Sequence, residues 1–354
     1  MEQRVNWGII AAGGIAKRRT LPAMGQVKNA QVIAVMDTNE AAVRQIAKEY
    51  AIPYTYTDMQ ELLENPQVEA VYVASPVCFH KEQAFAVLDA GKHLLLEKPL
   101  GMNAEEAREI QNYARSVDCK SGVAMVMKHH PGHRAIKALI AKGELGDIVN
   151  CRAQLSCWFP DMEGNWRQKK ETAGGGALMD MGIHCIDLLC DLIHDQVEWV
   201  FGDIGTKTFA YEVEDSADCI LHMKKGAACY VDAHFNVPDE SVKSMLEIYG
   251  TKGSVLAQGT IGQEGKGDIY VNYGPSQKAY DSQQVRDADG LGVRLEYDWE
   301  NIYGCQIQAF SQAILEDGPV MTSMEQACET LRITDALYAS AREKKAVFLL
   351  QSPM

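Results

Sequence analysis

The sequence is poor in the features that mark several protein classes. None of its ten cysteines forms a C-x-x-C pair, so neither a zinc ribbon nor a thioredoxin-type site is indicated. Their irregular spacing, without a secretory leader, makes reduced thiols in a cytoplasm the default expectation. The start, Met1-Glu2-Gln3-Arg4-Val5, carries no apolar run of the secretory kind. No apolar stretch reaches the roughly 18 residues of a membrane span. Basic residues are outnumbered: 34 Lys and Arg against 48 Asp and Glu give a net charge of −14. Such a chain repels phosphate backbones and anionic lipid, and its Lys and Arg are scattered. Nucleic acid and membrane are therefore not expected partners. Internal repeats and low-complexity tracts are also missing.

What remains is an ordinary globular composition. The 354 residues are 47% hydrophobic and 23% charged, enough for about two domains with cores of their own. Up to about residue 125, apolar runs at 5–11, 31–36, 70–74, 93–96 and 121–126 alternate with helical stretches at 13–23, 40–50, 81–90 and 104–118. That alternation implies βαβ crossovers and a doubly wound parallel sheet. The pattern then changes. Helices are expected at 131–142 and 177–193, a strand at 148–156, and successive strands at 197–201, 217–223, 227–235, 244–249 and 253–257. Strands without intervening helices imply a mainly antiparallel sheet. Residues 259–292 read as turns and a long loop, and helices at 301–316 and 324–344 close the chain, the second behind the cap signal Thr322-Ser323. The expected fold class is α/β: residues 1–125 as a dinucleotide-binding domain, and residues 126–354 as a second, substrate-binding α/β domain whose final helices can pack back on the first.

The first strand runs into Ala11-Ala12-Gly13-Gly14-Ile15-Ala16. A strand, a small-residue turn and a helix let backbone approach a pyrophosphate at a helix N-terminus. Ala11 stands where G-x-G-x-x-A has its first glycine. The alternative is a tight turn of any α/β protein. Asp37 ends the next strand, 24 residues after Gly13, where a carboxylate accepts hydrogen bonds from ribose hydroxyls and repels a 2′-phosphate. NAD is thus favoured over NADP, the alternative for Asp37 being a helix cap.

Two constellations carry chemistry. Glu97-Lys98-Pro99 directly follows an apolar strand, and ligands of open parallel sheets sit at strand carboxyl ends. Gly174-Gly175-Gly176 precedes Asp180 and His184. Three glycines in a row are costly to order unless the backbone approaches something closely. The i, i+4 spacing puts Asp180 and His184 on one helix face, where the carboxylate raises the basicity of the ring. The segment Lys128-His129-His130-Pro131-Gly132-His133 is broken by Pro-Gly, and no metal is expected there.

These residues, with Ala74-Ser75-Pro76 and His80, Ala90-Gly91-Lys92-His93, Trp166-Arg167 and Gly250-Thr251-Lys252-Gly253-Ser254, resemble the oxidoreductase family of glucose–fructose oxidoreductase, inositol dehydrogenase and rhizopine catabolism proteins (Gfo/Idh/MocA). The resemblance covers nearly the whole chain. It implies a Rossmann domain and a C-terminal α/β domain whose open sheet face joins subunits into a homo-oligomer, a dimer or tetramer. It implies NAD contacts from Ala12, Gly13, Gly14, Ile15, Asp37, Ser75, Pro76, His80, Glu97 and Lys98. It makes Lys98, Asp180 and His184 catalytic, with His184 as acid/base, and adds Lys128, Trp166 and Arg167 to the substrate pocket. The implied substrate is a pyranose sugar, a glycoside or a cyclitol, oxidised or reduced at a secondary hydroxyl or ketone. Two alternatives stay open: a glycoside hydrolase using NAD for transient oxidation, and a non-catalytic NAD-binding sensor.

Overall fold

The computed structural model describes residues 3–274 and 292–349. Its first sheet contains β1 (Val5–Ile10), β2 (Ala30–Met36), β3 (Tyr54–Tyr56), β4 (Ala70–Val73), β5 (His93–Leu96) and β6 (Ser121–Val123), in the order β3-β2-β1-β4-β5-β6. Every pairing in it is parallel. The central strands are buried along nearly their whole length, as in β4 (Ala70-Val71-Tyr72-Val73), because helices cover both faces. Asparagines cap two of the covering helices: Asn39 accepts from the Ala42 N–H before Glu40–Tyr50, and Asn103 from the Glu106 N–H before Ala104–Arg115.

The second sheet holds β7 (Ile148–Gln154), β8 (Val197–Gly205), β9 (Ser216–Met223), β10 (Ala228–His234), β11 (Met245–Gly250), β12 (Gly253–Gln258), β13 (Asp268–Tyr273), β14 (Val293–Arg294) and β15 (Val347–Phe348). Its order is β14-β13-β12-β11-β7-β10-β9-β8-β15. It is antiparallel except where β7 and β10 run together. The helix Ile183–Ile193 buries its apolar side on this sheet, with Cys185, Leu188 and Leu189 fully buried. The expected long loop at 259–292 is interrupted by β13, whose register with β12 runs from Gly253↔Tyr273 to Gln258↔Asp268. The rest of that expectation, residues 275–291, lies outside the described residues.

The last two helices tie the halves together. From Ile302–Leu315, Ser311 accepts a 3.1 Å hydrogen bond from the Trp7 indole, and Phe310 packs 5.6 Å from the same ring. From Met324–Glu343, Asp335 accepts from the Ala104 N–H at 2.8 Å. Ser323 caps that helix by accepting from the Gln326 N–H. Between the two sheets these contacts leave a cleft.

Candidate active site

The cleft contains a cavity of about 420 Å³ at the carboxyl ends of the parallel strands. Two short π-helical segments border it, Ala16–Thr20 and Leu178–Gly182, where continuous α-helix is the sequence expectation. Such wide turns are rare and gather at functional sites. The first contributes Arg18 to the cavity wall, and the second Met179, Asp180 and Met181.

Lys98 leaves the end of β5 and reaches across the cleft. Its ammonium donates to the Asp180 carboxylate at 2.6 Å and to the Asp180 carbonyl at 2.7 Å. Arg167 lies 3.9 Å from the same carboxylate and over the Trp166 ring, 4.3 Å from its centroid. Burial works to raise the Asp180 pKa, but the two cations outweigh it and hold the group down to about 2. Lys98, Asp180, Trp166, Arg167 and His184 all line the cavity.

His184 differs from the expectation in one respect. Asp180 gives its hydrogen bonding to Lys98, and His184 Nδ1 is buried without a partner among the described residues. The other ring nitrogen is therefore the one open to the cavity. Burial, reinforced by the Lys98 charge and opposed by Asp180, pushes the ring down to about 3. The imidazole is neutral at physiological pH, and the carboxylate does not make it strongly basic.

The dinucleotide candidates divide into two groups. Ile15, Ser75, Glu97 and Lys98 line the cavity. Glu97 is buried; burial raises its pKa, against the hydrogen bond from Tyr72 and the nearby Lys98 charge. Ala12, Gly13, Gly14 and Asp37 continue away from the cavity along the β1 turn. Asp37 accepts from Gly13 N–H at 2.9 Å and Asn39 N–H at 3.0 Å, while Asn39 takes the cap role. Ala11 holds φ at +60°, the left-handed value that the usual first glycine supplies without cost. A Cβ on Gly14 would meet only the Ala74 carbonyl, at 4.0 Å. This open, small-residue turn beside a carboxylate fits a dinucleotide.

Three further candidates also lie outside the cavity wall. His80 does not face the cavity: its ring sits between the Pro99 carbonyl (2.8 Å) and the Ser75 carbonyl (3.1 Å), bracing the turns after β4 and β5. Pro76, in the same turn, is also outside the wall. Lys128 is taken by Asp187 in a 2.8 Å ion pair with both side chains 3% exposed, and Val126 and Met127 reach the cavity in its place. The triple glycine does answer a close approach, but to protein. A Cβ on Gly176 would lie 1.9 Å from the Glu214 carbonyl, and one on Gly175 would lie 2.1 Å from the Tyr338 hydroxyl.

Sequence reasoning missed Arg18, Cys157, Phe159, Gln263 and Tyr303, which are among the residues of the wall. Arg18 had a signal, since Lys17-Arg18-Arg19 follows the candidate phosphate turn. Tyr303 had none; helix Ile302–Leu315 carries it to Glu97 from the far end of the chain, and burial raises its pKa.

Comparison with known proteins agrees with this architecture. Residues 5–125 match the oxidoreductase family with an NAD-binding Rossmann fold. Residues 133–256 match the GFO/IDH/MocA C-terminal domain. The chain belongs to the Gfo/Idh/MocA oxidoreductase family. It is 28% identical to 1,5-anhydro-D-fructose reductase of Ensifer adhaerens over 345 residues, 96% of this chain and 97% of that one. It is 26% identical to D-xylose 1-dehydrogenase (NADP(+)) 2 of Haloferax volcanii over 352 residues, 97% and 99% of the two chains. Among solved structures, aldose–aldose oxidoreductase of Caulobacter crescentus, complexed with glycerol, shares the fold with a TM-score of 0.86 at 21% identity, covering 98% of this chain and 100% of that one.

Proposed function

We propose that this oxidoreductase interconverts a secondary hydroxyl and a ketone on a pyranose, glycoside or cyclitol, with NAD preferred over NADP. The observation that carries the reading is the convergence of Lys98, Asp180 and His184 in one cavity, at the strand ends beyond the dinucleotide turn. The nicotinamide, when bound, gives or takes the hydride. The chain's own residues handle the proton and the charge. Lys98, fixed by Asp180, points an ammonium at the reacting oxygen and stabilises it as negative charge develops. His184, neutral in the free protein, takes the hydroxyl proton on its open nitrogen during oxidation and returns it during reduction. Asp180 stays ionised, holds Lys98, and stabilises the imidazolium as it forms. Asp37 selects the cofactor by accepting from ribose hydroxyls and repelling a 2′-phosphate. We assign residues 1–125 to the cofactor and 126–354 to the substrate and to oligomer contacts.

The oligomer contact is the outer face of the second sheet. Phe201, Ile220 and Tyr230 stand in one cross-strand row, and Phe201 and Tyr230 are 37% and 41% exposed. A row of apolar side chains open to water is costly for a monomer. Sedimentation velocity at micromolar concentration should show a dimer or tetramer; a monomer would sink this assignment.

The central test supplies NAD or NADP with a panel of sugars, glycosides and inositols, and follows NADH absorbance and products together. A ketone product with NADH growth is the expected result. Glycoside cleavage without NADH accumulation would replace the reading by a redox hydrolase. In the same assay His184→Ala should lower kcat by roughly 10²- to 10⁴-fold with NAD affinity unchanged. Asp37→Ala should weaken NAD and relax discrimination against NADP; an unmoved preference would remove Asp37 from cofactor selection.

A further inference from the structure

We propose that an aromatic strip running from the cavity rim to the surface is a second subsite, built to stack a further sugar ring attached to the one that reacts. The proposal rests on the sugar reading of the cavity. Phe159 lines the cavity. Its ring meets Tyr211 edge-on at 6.5 Å, Tyr211 stacks on Phe209 at 5.4 Å with an interplanar angle of 26°, and Phe209 meets Trp158 at 5.2 Å. Four rings thus lead outward without a gap. They come from two loops at one end of the second sheet: Phe159 and Trp158 follow β7, and Phe209 and Tyr211 lie between β8 and β9.

The strip is fixed in place. Tyr211 donates its hydroxyl proton to the Phe159 carbonyl at 3.1 Å, the Trp158 backbone N–H donates to Asp239 at 2.9 Å, and the Phe209 backbone N–H donates to Asp215 at 2.9 Å. Its inner end packs on Phe235, which is 1% exposed. Its outer end is open: Trp158 is 45% exposed and the neighbouring Met162 50%. Rigid aromatic surface left in water next to a binding cavity is a cost that a ligand removes. The occupant follows from what surrounds the rings. Asp161 lies within electrostatic reach of Tyr211, and the Asp239 carboxylate holds the backbone N–H of Trp158. A sugar ring offers C–H faces to aromatic planes and hydroxyl donors to such carboxylates. An anionic extension would meet these carboxylates as like charges. A single pyranose in the cavity would leave the strip uncovered, so the site is built for a glycoside of at least two rings.

Isothermal titration of the full chain with NAD present compares glucose with glucose disaccharides of different linkage. At least one disaccharide should bind about tenfold or more tighter than glucose, a difference of about 1.4 kcal/mol. Trp158→Ala should remove that gain and leave glucose affinity unchanged; Trp158→Phe should keep most of it. Phe209→Ala provides a second variant, with thermal melts confirming that each folds. The proposal is overturned if no disaccharide exceeds glucose, or if the gain survives in both alanine variants. It is also overturned if Trp158→Ala lowers the mass of the oligomer, because a second copy then covers the strip. Binding heat needs no turnover. A chain that binds disaccharides through Trp158 but forms no NADH keeps the subsite and loses the dehydrogenase reading, and the reverse result does the opposite.

Discussion

Lys128 shows how a residue's role depends on its partner. Its ammonium is buried against Asp187, accepts no place in the cavity wall, and donates also to Gln326 at 3.2 Å. Burying two charges costs several kcal/mol each, and their attraction roughly repays it. Lys128→Met should therefore destabilise the fold by about 3–5 kcal/mol, because Asp187 is left buried and unpaired. The double change Lys128→Met with Asp187→Leu should recover most of that loss in chemical denaturation. Substrate KM should be unaffected in the folded double variant; a raised KM would return Lys128 to the substrate site. From sequence alone, a Lys beside a predicted domain junction has the same appearance whether it meets a ligand or an aspartate 59 positions later.

At the scale of elements, the glycine run before Asp180 is a packing device that sets the geometry of the site. Gly174 holds φ at +75°, and Gly176 lets the chain pass against the Glu214 backbone, where the Ala177 N–H donates to the Glu214 carbonyl at 2.9 Å. The Glu214 side chain accepts from Leu178 N–H (3.0 Å) and Tyr338 hydroxyl (2.7 Å). These bonds anchor the π-helical turn that carries Asp180. Gly176→Ala puts a methyl against backbone that cannot yield. It should cost upwards of about 3 kcal/mol in stability, at the severe end of single substitutions, and any folded fraction should show weakened coupling of Lys98 to Asp180 as reduced kcat. A variant as stable and active as the parent would show that the turn is soft. Apolar periodicity predicts a continuous helix at 177–193, where the structure has a π turn at Leu178–Gly182 before the α-helix Ile183–Ile193. Periodicity does not report a π turn, which arises from what the neighbouring strand and helix demand.

For the whole molecule, the buried histidines contribute a distinct part of the response to acid. Burial is the leading cause that lowers His80 to about 4, and His129, His133 and His184 to about 3. In the unfolded chain each has the ordinary value near 6.5. Below that pH the unfolded state binds protons that the folded state refuses. The stability from keeping these rings neutral is complete above about pH 6.5 and is lost as pH falls toward 3 to 4. Buried Glu97, Asp187 and Glu214, with raised values, act in the opposite direction. The histidine part can be read separately: ring-proton resonances of these four should not titrate between pH 5 and 8. A titration near 6.5 for His184 would place it in a wetter site than the fold provides.

Much of this protein is determined by its sequence alone. Apolar runs alternating with helical stretches dictate parallel strands, and the change to successive strands dictates a second, mainly antiparallel sheet, because period and spacing are local properties of the chain. The small-residue turn after β1, Asp37, Lys98, Asp180 and His184 can be picked out as candidates for the same reason: each stands in a short segment with a recognisable pattern. Tertiary structure alone decides which of the polar groups meet. It gives Asp180 to Lys98 and leaves His184 Nδ1 without a partner among the described residues, turns Lys128 to Asp187, and brings Tyr303 to Glu97 across some two hundred residues. Hydrogen bonds and desolvation act over a few ångströms in space, and sequence separation carries no record of that distance.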